Sequence, residues 1–111
     1  MKLKDLEELL SAKVLYGESL LDKDVDYFYA SDLMSDILAT VKEPGVLITA
    51  MVQPQVMRTI QMLDLIGVIF VNGKCPPEDT LRLARSIEIP VLVTRCSMFE
   101  TCGKIYMSLV K

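Results

Sequence analysis

Histidine and tryptophan are absent from this 111-residue chain, glycine and proline number five each, and only 6 % of positions are aromatic. Without histidine, the commonest general base near neutral pH and the commonest transition-metal ligand are both missing. The three cysteines, Cys75, Cys96 and Cys102, form no Cys-x-x-Cys pair and have no metal-like spacing. They read as reduced, mostly structural thiols. Neither Gly-x-Gly-x-x-Gly nor Gly-x-x-x-x-Gly-Lys-Ser/Thr occurs, so the two common nucleotide cradles are missing. No apolar run approaches the roughly 20 residues of a membrane span. The opening Met-Lys-Leu-Lys-Asp-Leu-Glu-Glu carries charge where a signal peptide has its apolar core. With 12 basic against 15 acidic residues and no basic stripe, the electrostatic footprint of a nucleic-acid binder is also lacking. The expectation is a cytoplasmic chain with no membrane or nucleic-acid partner, no metal and no cofactor.

What is present is apolar: 51 % of residues are hydrophobic. A sheet covered on both faces would bury much of that content, and a subunit interface would take the rest. The stretch from Gly45 to Gly67 shows the pattern. Val46-Leu47-Ile48 is apolar without alternation, as in a strand covered on both faces, and Pro54 suits the first turn of a helix running to about Ile66. Gly67 follows where a left-handed residue often closes a helix. Val68-Ile69-Phe70-Val71 and Val91-Leu92-Val93-Thr94 repeat the strand. A helix after Pro76-Pro77 and a final one opened by Ser97 and Glu100, a capping-box spacing, follow them. The fold class is α/β: a layered sheet with at least three parallel strands, at about 46–50, 68–71 and 91–94, joined by crossover helices. One domain spans 1–111.

The first half is less regular. Leu3, Leu6 and Leu10 mark a short helix over residues 3–12, and Val14-Leu15-Tyr16 a short strand. From Asp24 to Ala30 the pattern alternates, with Val25, Tyr27 and Tyr29 on one side, so an edge strand is expected. Ser31 can cap the next helix, with Asp32 in its first turn and Leu33, Met34, Ile37, Leu38 and Val41 as its apolar stripe. Asp32 and Asp36 would then share a face and could hold magnesium, although a helix-start charge on a solvated face explains them as well.

In open parallel sheets, ligands bind beyond the carboxyl ends of the strands. The side chains expected there are Thr49, Gln53, Asn72, Lys74, Thr94, Arg95 and Ser97, with Arg58 a turn up its helix. That inventory suits an anion such as a phosphate at helix N-termini, yet capping and turn chemistry place such residues in any domain of this kind. Cys96 lies just before the last helix, but no histidine is available to activate it. Met51, Met57, Met62, Met98 and Met107 read mostly as core. The last helix is apolar over more than one stripe, so it is expected to pack on the sheet and contribute to a homodimer through Met98, Ile105 and Leu109.

The chain resembles the DRTGG-domain family of small α/β modules over essentially its whole length. The blocks that carry the resemblance are Ala30-Ser31-Asp32-Leu33-Met34-Ser35-Asp36, Val46-Leu47-Ile48-Thr49, Pro54-Gln55-Val56-Met57-Arg58-Thr59, Phe70-Val71-Asn72-Gly73-Lys74 and Ile89-Pro90-Val91-Leu92 with Ser97-Met98-Phe99-Glu100. The Asp-Arg-Thr-Gly-Gly signature itself is replaced by Thr49-Ala50-Met51-Val52-Gln53, so no role of the signature residues carries over. The resemblance implies a regulatory accessory module. Such domains occur beside phosphotransacetylase catalytic regions and between CBS domains of some pyrophosphatases. Their fold is similar to the N-terminal domain of HPr kinase/phosphorylase. The function expected is a non-enzymatic regulatory or interaction module, homodimeric; the alternative is a sensor of a nucleotide or other phosphate compound at the strand ends.

Overall fold

A computed structural model describes residues 1–110. In chain order the elements are α1 (Leu3–Leu9), β1 (Lys13–Tyr16), a 3-10 turn (Glu18–Leu20), β2 (Phe28–Ala30), α2 (Met34–Thr40), β3 (Val46–Thr49), α3 (Gln55–Met62), β4 (Gly67–Phe70), α4 (Glu78–Ser86), β5 (Val91–Val93) and α5 (Met98–Leu109). They build one five-stranded sheet in the order β1-β5-β4-β3-β2. Strands β2 to β5 are parallel, and β1 closes the other edge antiparallel to β5. The strands expected at 46–50, 68–71 and 91–94 are β3, β4 and β5, and both N-terminal strands join the same sheet.

Every residue of β3, β4 and β5 is buried, which explains their unbroken apolar runs. Successive side chains go to opposite faces. Leu47, Val68, Phe70, Val91 and Val93 join a cluster containing Ile37, Val56, Met57, Ile60 and Ala84 of α2, α3 and α4. Val46, Ile48, Ile69 and Leu92 join Leu3, Leu6 and Ile105 of α1 and α5. The three crossover helices therefore lie on one face, and the two terminal helices on the other. Gly45 allows β2 and β3 to meet: a Cβ there would run into the carbonyl oxygen of Tyr27, which accepts from the Val46 amide at 3.0 Å.

Several local expectations fail for tertiary reasons. The alternation from Asp24 yields strand only at Phe28–Ala30, because the Val25 amide donates to the Met1 carbonyl at the start of α1. Val25 and Phe28 face α1 and α5, while Tyr29 packs on the opposite cluster, so Val25 and Tyr29 do not share a face. Helix α2 starts at Met34, its N-cap is Leu33, and Ser31 is not the cap. Leu33 and Leu38 of its expected stripe are exposed. Helix α1 ends at Leu9, short of residue 12, and Ser11 turns left-handed at φ 47°. Gly67 lies inside β4; the left-handed residue after α3 is Asp64, with φ 54°. Of the five methionines read as core, only Met57 is fully buried, and Met62 and Met107 are exposed. On α5, Ile105 packs into the core and Met98 is half-buried, so of the three residues expected at a dimer contact only Leu109 faces outward. No helix of the described residues is long and apolar enough to cross a membrane.

Candidate functional site at the carboxyl end of the sheet

Each parallel strand ends in a turn that enters a helix, and two of these ends share one device. Thr49 closes β3 with a buried side chain whose hydroxyl accepts from the Met51 amide at 3.1 Å. Thr94 follows β5, also buried, and its hydroxyl accepts from the Cys96 amide at 3.2 Å. Each hydroxyl also donates. Thr49 Oγ1 donates to Asp32 Oδ1 at 3.0 Å, and the same oxygen accepts from the Ala50 amide at 2.7 Å. Thr94 Oγ1 donates to the Leu10 carbonyl at 2.8 Å. Asp32 thus leaves the helix start expected of it and ties down the end of β3, so it does not share a helix face with Asp36.

The β4 and β5 turns are stitched together. The Asn72 amide donates to the Cys96 carbonyl and the Gly73 amide to the Thr94 carbonyl, both at 2.8 Å. Asn72 and Gly73 take φ of 59° and 65°, a left-handed pair suited to Asn-Gly. A Cβ at Gly73 would lie 3.9 Å from Arg95 Cγ, an ordinary contact distance, so the demand for glycine here comes from its left-handed φ and not from crowding.

Beside this join lies a cavity of about 410 Å³. Its walls come from the α1–β1 connection (Leu10, Ser11), β1 (Lys13, Leu15), the β4–α4 turn (Gly73, Cys75), the end of β5 (Val93, Arg95, Cys96) and α5 (Lys104). Lys13 is the register partner of Val93, so the antiparallel pairing of β1 brings a lysine to the end of β5. Lys104 Nζ donates to Cys96 Sγ at 3.7 Å. Three cations and no carboxylate line the described wall, in a chain of net charge −3. A cavity with walls of one sign raises the local concentration of the opposite ion.

Of the eight residues expected at the strand ends, Arg95 lines this cavity. Thr94 and Asn72 border it through the bonds above. Ser97 caps α5, accepting from the Glu100 amide at 3.1 Å. Thr49 belongs to the Asp32 clamp, and Lys74, Gln53 and Arg58 are exposed and outside the cavity wall. Lys13 and Lys104 had no local signal: they reach the rim only through the pairing of β1 with β5 and the packing of α5. The Glu100 carboxyl is held below its ordinary range, first by the Ser97 amide, then by the Ser97 hydroxyl and by Lys104. Partial burial pushes the Cys102 thiol up. Among the described residues no cluster of three His, Cys, Asp or Glu could hold a metal ion.

A second, apolar cavity of about 290 Å³ lies between α5 and the β2 edge, lined by Phe28, Ile48, Cys102, Ile105, Tyr106 and Leu109 among others. Next to it the outward side of α5 exposes Phe99 (86 %) and Tyr106 (66 %), with Met107, Leu109 and Val110.

No protein-family model matches the chain, and no curated protein does. Among solved structures it is similar to the CBS and DRTGG domains of the regulatory region of Clostridium perfringens pyrophosphatase, a structure in complex with the activator diadenosine tetraphosphate. The TM-score is 0.71 at 17 % sequence identity, over 93 % of this chain and 45 % of that one. The likeness is one of fold, and it supports a DRTGG-like domain with a mostly parallel sheet and crossover helices.

Proposed function

We propose that this DRTGG-like domain is a non-enzymatic regulatory module that responds to a small anionic ligand at the Thr94 end of its sheet. The observation that carries the reading is the cavity lined by Lys13, Arg95 and Lys104 without a carboxylate. Its regulatory character is supported by the fold likeness to a pyrophosphatase regulatory region that binds a nucleotide activator. The absence of histidine from the sequence favours binding over catalysis. The test is calorimetric titration of the chain with inorganic phosphate and with organic anions at low salt. Saturable binding that weakens as ionic strength rises is expected. Heats at the dilution baseline for every anion would remove the reading.

A second reading, self-association, is favoured by the outward apolar side of α5. Phe99, Tyr106, Met107, Leu109 and Val110 form an exposed set of the kind that marks contact surfaces. Light scattering at micromolar concentration should give a homodimer, and Tyr106→Glu should return it to monomer. A monomer at all concentrations removes this reading and leaves the ligand site untouched.

A further inference from the structure

We infer that the cavity at the end of β5 takes a phosphate monoester carrying an apolar body, in preference to bare phosphate. The inference deepens the anion-binding reading above and rests on it. The charge requirement comes from three elements at once: Lys13 from the start of β1, Arg95 from the β5–α5 turn and Lys104 from α5. Ion pairs among the described residues join Lys4 to Asp22, Arg82 to Asp79 and Arg85 to Glu78, so none of the three cavity cations is neutralised by one. Glu100, a helical turn before Lys104, is the carboxylate that feels it; its oxygen already accepts from the Ser97 amide at 3.0 Å. A dianionic phosphate matches three cations better than a single carboxylate would, and Arg95 offers it a planar fork of donors.

Two backbone amides of this join are already used. The Asn72 and Gly73 amides are donated across the join, so the charge facing the phosphate comes from the side chains of Lys13, Arg95 and Lys104. That fits the absence of any glycine-rich phosphate loop from the sequence. Leu10, Leu15 and Val93 line the same cavity, Leu15 and Val93 packing with the α2–α4 cluster and Leu10 with the α1–α5 cluster. An inorganic ion would leave that wall wet, whereas an organic body covers it and gains from its burial. At about 410 Å³ the cavity sits low in the range of small-molecule sites, roughly 300–1,000 Å³. That volume is of the size of one small organic monoester.

Cys75 and Cys96 line the cavity, and Cys102 lines the other one, so the thiols report occupancy. The test uses the full chain at low salt with adenosine monophosphate, phenyl phosphate, inorganic phosphate and adenosine. Calorimetry gives affinity, and iodoacetamide labelling read by mass spectrometry gives the footprint. At least one ester should bind about tenfold more tightly than both inorganic phosphate and adenosine, a difference of about 1.4 kcal/mol. It should slow alkylation of Cys75 and Cys96 with Cys102 unchanged. Lys13→Ala and Lys104→Ala should each weaken it about fivefold or more while the thermal midpoint stays within a few degrees. Three results overturn the inference: esters and phosphate binding alike, which leaves the anion site standing; adenosine binding as well as its monophosphate; or affinity unmoved by both lysine substitutions. If no anion binds, this inference and the reading above fall together.

Discussion

The ends of β3 and β5 use the same threonine device and differ in what the threonine holds. At Thr49 the buried hydroxyl bonds an exposed carboxylate, Asp32, which also takes the Ala50 amide. At Thr94 it bonds a main-chain carbonyl from the α1–β1 connection, with Arg95, Lys13 and Lys104 around it. Backbone geometry alone would make both ends equal candidates for an anion. The first end carries a carboxylate, whereas the second has none in its cavity wall and gains Lys13 from the antiparallel strand. Position at a strand end is therefore a general property of the fold, and charge supplied by distant segments is what distinguishes the two ends.

The largest expected effect separates the two threonines by stability. Thr94→Val leaves a buried carbonyl and an amide without their partner, so denaturant unfolding should show a loss of about 2–3 kcal/mol. Thr49→Val should cost less, about 1–2 kcal/mol, because Asp32 is exposed and water replaces the lost bond. Equal losses would mean that the two ends are not distinguished by what they hold. Next, Ser97→Ala removes the cap of α5 and should cost about 1 kcal/mol. Arg95→Ala should change stability by less than about 0.5 kcal/mol while weakening anion binding, which separates the ligand role from the structural one.

The smallest effect is a pH dependence. Glu100 is depressed in the folded chain, so the stability that its charged form contributes is complete above its ordinary value of 4.5 and is lost as pH falls through the lowered one. The stability difference between the chain and Glu100→Gln should be flat above about pH 5.5 and shrink below 4.5. A difference unchanged down to pH 3 would contradict the capping box as the source.

The second half of the chain was legible because its signals are local. Unbroken apolar runs gave β3, β4 and β5; Pro54, Pro76-Pro77 and the Ser97–Glu100 pair gave the starts of α3, α4 and α5. The first half was not, because distant partners overrode local preference. Ser31 and Asp32 have good capping chemistry, yet Asp32 serves Thr49, 17 residues away. Lys13 has no meaning for a ligand until β1 is known to pair with β5, and Lys104 none until α5 is seen at the rim. Arg95 is expected at a strand end because it directly follows a buried strand, and it lines the cavity. Tyr106 and Phe99 look like core in a list of apolar residues, and only the packing of Thr101 and Ile105 beneath the helix shows them facing out.

The most direct test of the difference between the two strand ends is an amide chemical-shift titration of isotopically labelled chain with adenosine monophosphate and phenyl phosphate. Saturating shifts at Lys13, Gly73, Arg95, Cys96 and Lys104, with Ala50 and Met51 unmoved, are the result expected. Shifts centred on Ala50 and Met51 beside Asp32, or none at either end, would contradict it.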